Sequence, residues 1–180
     1  MQPMKQLEAI LSKLADPEHC LFSSSDLQGA LPNYRGWSVL LSRAQKAGLL
    51  TRVCRNLYLF PRVPYKGGLL LYHAAARMRA GHFNYLSLET VLSEAGIIPQ
   101  IPMSTIMLMS SGRSQTIRCG DFGRVEFIHS AKRPEDVAEQ LTYDRDCRLW
   151  RASVPLAIRD MKATHRSTDL IDWEAVHEFV

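Results

Sequence analysis

Residues 36–60 read GWSVLLSRAQKAGLLTRVCRNLYLF, and this stretch decides the fold. In its first half Trp37, Leu40, Leu41, Ala44 and Ala47 recur at three- and four-residue spacing, which is one stripe of an amphipathic helix. The spacing predicts a helix from about Tyr34 or Trp37 to Ala47. Gly48 stops it, since glycine freely takes the left-handed conformation that follows a helix C-terminus. Ser38, Val39, Ser42, Arg43 and Lys46 project from the opposite face. After Gly48 the period falls to two. Leu49 to Val53 and Leu57 to Phe60 alternate roughly between apolar and polar, with Cys54-Arg55-Asn56 between them. This predicts a β-hairpin, and Asn56 suits the tight turn because it tolerates positive φ.

Working outward, Leu7, Ile10, Leu11 and Leu14 give residues 4–15 an apolar helical face, ended by Asp16-Pro17. Ser23-Ser24-Ser25 offers N-caps for a short helix through Leu31, and Gly29 and Pro32 force a turn. Two short helices, a tight turn, a third helix and a basic hairpin predict a winged helix-turn-helix over residues 1–66. Pro61 to Gly68 reads as the linker to a second domain, residues 67–180. There Leu69 to Arg79 looks helical. Another helix starts near Ser87, its expected cap, and ends at Gly96, with Leu88, Val91, Leu92 and Ala95 as its apolar positions. Ile106–Met109, Thr116–Arg118 and Val125–Ile128 read as a meander of strands. Ser153 caps a helix running to about Thr164, and Asp172 starts a terminal helix through Phe179. The expected class is α+β: a winged helix-turn-helix, then a domain of mixed helices and antiparallel strands.

Charge placement points to a partner. The net charge is only +4. Yet the 62 residues between Asp26 and Glu89 contain no Asp or Glu, while holding Arg35, Arg43, Lys46, Arg52, Arg55, Arg62, Lys66, Arg77 and Arg79. Residues 1–66 carry nine Lys/Arg against four Asp/Glu, a net of +5; residues 67–180 carry thirteen against fourteen, a net of −1. A concentrated positive field without competing carboxylates is what a polyanion needs, because each neutralised phosphate releases counterions. Double-stranded DNA is the expected partner. A major groove admits one α-helix whose outer face carries small polar and cationic groups. Ser38 and Ser42 suit phosphates or base edges, Val39 a thymine methyl, and Arg43 and Lys46 guanine or phosphate. Tyr34 and Arg35 precede the helix and suit phosphates; Trp37 belongs to the core. Arg52 and Arg55 near the hairpin tip suit a wing on a backbone or in a minor groove. An ordinary solvated helix face and a solubilising loop are the competing readings.

Other classes find little support. A chain that is 46% hydrophobic and 22% charged is an ordinary globular one. No apolar run approaches the roughly 20 residues that span a bilayer, and the start lacks the layout of a signal peptide, so no membrane partner and a cytoplasmic location are expected. Cys20, Cys54, Cys119 and Cys147 form no C-x-x-C pair and read as reduced, buried thiols; no metal site is expected. His73 sits on an apolar helix and reads as structural. Asp121, Glu126 and His129 share one hairpin, but residues three apart on a strand point to opposite faces. Ser110-Ser111-Gly112-Arg113 lacks the glycine repeat of a phosphate-cradling loop. Glu135, Asp136, Glu139, Asp144 and Asp146, interleaved with Arg133, Arg145 and Arg148, read as a solvated face. No catalytic residue and no cofactor are expected.

Three segments resemble the AbiEi family of antitoxin-regulators from bacterial abortive-infection toxin–antitoxin systems. They are Tyr85-Leu86-Ser87-Leu88-Glu89 through Ser93-Glu94-Ala95-Gly96-Ile97-Ile98; Ser111-Gly112-Arg113-Ser114 with Phe122-Gly123-Arg124-Val125-Glu126-Phe127-Ile128-His129; and Ala157-Ile158-Arg159-Asp160-Met161-Lys162 with Asp169-Leu170-Ile171-Asp172-Trp173. The resemblance implies two jobs. The winged helix binds repeats in its own promoter and represses the operon. The C-terminal domain counters a toxin that looks like a nucleotidyltransferase, with or without direct contact. A winged-helix regulator whose C-terminal domain senses a small ligand is the alternative.

Overall fold

The computed structural model describes residues 2–65, 67–100 and 104–179; Lys66, the last cation of the first expected domain, lies outside them. The architecture is mixed α+β with two sheets. The chain divides into two compact units, Met1–Leu70 and Leu71–Val180.

The first unit runs α1 (Pro3–Leu14), β1 (Leu21–Ser23), α2 (Ser24–Ala30), α3 (Trp37–Lys46), β2 (Thr51–Cys54) and β3 (Leu57–Leu59). Its sheet has the order β1-β3-β2, antiparallel throughout. β1 was not expected, because three residues are too few to show a period of two. The core joins Leu7 and Leu11 of α1, Phe22, Leu27, Leu40, Leu41 and Ala44 of α3, Leu49, Leu50, Tyr58 and Phe60. The apolar stripe of α1 is narrower than its sequence suggests: Ile10 is half-buried and Leu14 is 56% exposed.

The second unit contains α4 (Leu70–Met78), β4 (Asn84–Leu86), α5 (Leu88–Glu94), β5 (Thr105–Ser110), β6 (Gln115–Arg118), β7 (Arg124–His129), α6 (Pro134–Val137), β8 (Leu141–Asp144), β9 (Leu149–Ala152), α7 (Val154–Ala163) and α8 (Trp173–Val176). Its six strands order as β6-β7-β5-β4-β9-β8. The expectation of an antiparallel meander is corrected here, because β5 pairs with β7 in parallel, and so does β4 with β9. The reason lies in the strands themselves. β7 buries Val125 and Phe127 and takes an inner place, whereas Gln115, Thr116 and Arg118 of β6 are exposed and suit an edge. β4 also escaped the sequence reading. Tyr85 and Leu86 are both fully buried, so this central strand shows an apolar run without alternation.

The chain enters β7 through a close backbone approach. Gly123 has φ +118, and a Cβ there would lie 2.1 Å from the carbonyl oxygen of Ser104. Arg124 N donates to that oxygen at 2.8 Å. No side chain fits at this position.

Two polar networks tie the second unit together. Asp160 of α7 is fully buried; it accepts from Tyr85 Oη at 3.0 Å and Ser87 Oγ at 2.7 Å, and it pairs with the Lys132 ammonium. Ser87 therefore does not cap α5 as expected, since its hydroxyl is spent on Asp160. Burial first, then the neighbouring Asp160, pushes the Tyr85 phenol far above its ordinary range. In the second network Arg151 bridges Glu94 and Asp144, and the Tyr72 hydroxyl donates to Glu94. Asp144 is thus half-buried and paired, not part of a solvated face. Burial, then Asp144, raises the nearby Cys147 thiol to about 12. All four cysteines are buried thiols outside any disulfide. Among the described residues no helix is long and apolar enough to cross a membrane.

Lys132→Met would strand a carboxylate that has no contact with water. The expected cost is on the order of 3 kcal/mol, tempered because the ammonium it replaces is itself partly solvated. Lys132→Arg should recover most of it. Urea denaturation of the two variants checks this, and equal midpoints for Lys132→Met and the unaltered chain would contradict the assigned role.

Candidate nucleic-acid interface

Local chemistry fixes both ends of the turn that leads to α3. Ser23 Oγ accepts from Asp26 N at 3.1 Å, and Ser23 N donates to Asp26 Oδ2 at 2.7 Å, a capping box that starts α2. Of the three serines offered by the sequence, the fold uses the first. α3 begins at Trp37 after Gly36, which supplies no side-chain cap to its first turn. It ends in a Schellman motif: Gly48 N donates to Gln45 O at 3.0 Å, Leu49 N to Ala44 O at 2.9 Å, and Gly48 takes φ +68.

This geometry settles which face of α3 is free. Leu40, Leu41 and Ala44 are buried; Ser38, Val39, Ser42, Arg43 and Lys46 are exposed together on the other side. Val39 is 51% exposed, an apolar side chain held out among polar ones. Arg43 and Lys46 also lie in the last helical turn, where their charge complements the helix dipole. Arg35 is exposed just before the helix, while Tyr34 is half-buried with its ring edge-on to Trp37 at 5.9 Å. Tyr34 is therefore partly committed to packing, and Trp37 packs against the core.

The hairpin forms where it is expected, although burial does not alternate along it, since Leu57, Tyr58 and Leu59 are all buried. Thr51 pairs with Leu59 and Arg52 with Tyr58, followed by a bulge before Cys54 pairs with Leu57. Arg55 and Asn56 make the turn, and Asn56 has φ +63. The turn is anchored to α2, since Ser24 N donates to Asn56 O at 3.0 Å. Arg52 and Arg55 are exposed; Arg52 Nε makes only a long local bond to Cys54 O at 3.4 Å.

The acid-free stretch thus separates into distinct populations. Arg35, Arg43, Lys46, Arg52 and Arg55 are exposed and pair with no carboxylate among the described residues. Arg62 is paired with Glu8. Arg77 and Arg79 belong to the second unit, and Arg79 is buried there. Two of the residues weighed for a metal, Glu126 and His129, have other partners. Glu126 pairs with Arg166 at 2.5 Å, and His129 Nδ1 lies 3.0 Å from Gly112 O. His73 Nε2 lies 2.7 Å from Asp146 O.

Sequence reasoning missed two features around this face. One is β1, which pairs with β3 and makes the hairpin part of a three-stranded sheet. The other is the anchoring of the hairpin turn to α2. Neither has a signal in periodicity, although the Ser-rich run before α2 hints at a densely bonded junction. No protein-family model matches this chain, and no curated protein matches it.

Ser23→Ala should cost about 1 kcal/mol through loss of the α2 cap. Gly48→Ala should cost a similar amount, about 1 kcal/mol, by forcing a Cβ into left-handed backbone. Thermal unfolding followed by circular dichroism tests both, and a rise in Tm for Gly48→Ala would refute the C-terminal cap.

Proposed function

We propose that the first unit is a winged helix-turn-helix that binds double-stranded DNA. We further propose that the whole chain is a cytoplasmic antitoxin and transcriptional autorepressor of an abortive-infection toxin–antitoxin operon. The observation that carries the DNA-binding half is the exposed face of α3, where Ser38, Val39, Ser42, Arg43 and Lys46 stand together with no carboxylate paired to either cation. The element order helix, strand, helix, helix, strand, strand supports it, with β2 and β3 in the place of a wing. On this reading α3 enters the major groove. Val39 meets a thymine methyl, and Ser38, Ser42, Arg43 and Lys46 meet base edges and phosphates. Its uncapped first turn offers amide groups to a phosphate. Tyr34 and Arg35 add backbone contacts, and Arg52 and Arg55 lie along a backbone or in a minor groove.

The antitoxin half is supported by the resemblance to the AbiEi family. The segments that carry it coincide with β4 and α5, the loop before β6, β7 and α7, and so include Tyr85, Ser87 and Asp160 of the buried network. The promoter repeats and the nucleotidyltransferase-like toxin enter by that resemblance alone.

Fluorescence anisotropy on promoter duplexes over a range of salt tests the interface. Arg43→Ala with Lys46→Ala should cost about 1–3 kcal/mol for a lost base contact, or lower the salt slope by about one per lost phosphate contact. Unchanged affinity and slope would remove α3 from the interface. Arg52→Ala with Arg55→Ala should weaken binding to all sequences alike, and a changed sequence preference would contradict a backbone role. In cells, the α3 double variant should relieve repression of a promoter reporter yet still rescue growth from co-expressed toxin. Loss of rescue at unchanged protein level would sink the separation of the two jobs.

A further inference from the structure

The second unit carries a cleft that the duplex-binding reading does not use. It is open, encloses about 210 Å³, and is lined by Arg79, His82, Asn84, Tyr143, Arg148 and Trp150 among others, with no Asp or Glu in its lining. We propose that this cleft binds a nucleotide, its phosphate at Arg79 and His82 and its base against Trp150 and Tyr143.

The phosphate end rests on Arg79. This side chain is only 9% exposed, and among the described residues it has no carboxylate partner. Its bonds go to neutral groups: Nη1 to Ser110 Oγ at 3.0 Å and Nη2 to Gln115 Oε1 at 3.4 Å. Its Cζ lies 4.1 Å from the centroid of the Phe127 ring. A guanidinium has five N–H donors, two of which these bonds use, and a buried cation without a counter-ion is costly, so the cleft that Arg79 lines calls for an anion. Burial, then the charge of Arg113, lowers its proton affinity, which an incoming phosphate would reverse. Ser110 Oγ donates to Asn84 Oδ1 at 2.6 Å and accepts from Gly112 N at 3.1 Å, fixing the hydroxyl that Arg79 uses. Gly112 leaves room for Arg79 and His82 side by side: a Cβ there would lie 2.9 Å from Arg79 Nη1 and 3.3 Å from His82 Nδ1.

The base end rests on two exposed rings. Tyr143 and Trp150 are 47% and 45% exposed and are paired across β8 and β9. Their centroids are 5.4 Å apart at an interplanar angle of 68°. Arg79 and His82 alone would suit inorganic phosphate. Aromatic faces open to solvent beside them suit a base as well, since base–aromatic stacking accepts any nucleobase. The cleft is small and open, so a base and one phosphate would seat while the rest of the ligand stays in solvent.

The inference does not rest on duplex binding, because every lining residue lies within Leu71–Val180. The test is calorimetric titration of the full chain with adenosine and uridine 5′-monophosphates, the matching nucleosides, inorganic phosphate and a short single-stranded oligothymidylate. Monophosphates should bind at least about tenfold more tightly than either nucleoside or phosphate alone. Trp150→Ala and His82→Ala should each weaken them about tenfold, with Trp150→Phe restoring affinity. Tighter binding of the oligonucleotide would assign the ligand to a strand, and weaker binding to a free nucleotide; both support the site. Should Trp150→Ala fail to fold, the exposed His82→Ala decides. No binding of any nucleotide, equal affinity for phosphate alone, or unchanged affinity in His82→Ala overturns the proposal.

Discussion

Three residues, Leu57 to Leu59, hold the first unit in register. β3 is the middle strand of the sheet; both its edges are occupied, by β1 and by β2. Its middle residue Tyr58, and Phe60 just after it, also enter the core that receives α1 and α3. Backbone groups in a buried strand must be paired, so β3 can exist only when the chain before α2 and the chain after α3 close on it together. The orientation of the free α3 face is therefore a product of non-local pairing. A helix of ten residues has little stability of its own and takes its direction from what it packs against.

The second unit solves a different problem. Its central strands are buried, and the elements around them are joined by charge as well as by apolar contact. A carboxylate sealed from water would be a liability unless fully bonded. Asp160 is served by three donors from two separate segments, the β4–α5 stretch and the chain after β7, so the cost of its burial is offset only in the complete fold. Arg79 is the counterexample within the same unit: a buried charge whose partners are neutral. The contrast between a satisfied anion and an unneutralised cation is what singles out the Arg79 cleft.

Periodicity made the helices legible. The stripe of α3, its stop at Gly48 and the hairpin turn at Asn56 were all readable, because each depends on residues within one turn or one strand. The exposed candidates Ser38, Val39, Ser42, Arg43 and Lys46 followed from the same period. What escaped depends on distant partners. β1 and β4 are three residues long, and β4 is buried on both faces, so neither shows alternation. The parallel pairing of β5 with β7 reverses the order a meander would give, and only the exposure of β6 explains it. Arg79 looked like one more member of a basic run; nothing in its neighbours along the chain signals that it turns inward. Asp144 was hidden in a charge-rich stretch for the same reason.

The Schellman turn at Gly48 has an angular consequence. Between Lys46 and Thr51 the chain has no slack, since Gly48 and Leu49 are bonded back to α3 and Leu49 and Leu50 are locked in the core. Each residue of an α-helix advances the azimuth by about 100°. The four-residue connection therefore works as an index pin between a rotating part and a fixed one. Adding or removing a single residue there would break the bonds from Gly48 and Leu49 to α3 or draw Leu49 and Leu50 out of the core, even though composition, charge and helix stripe stayed nearly the same. Loop length as well as loop sequence is therefore constrained behind this surface.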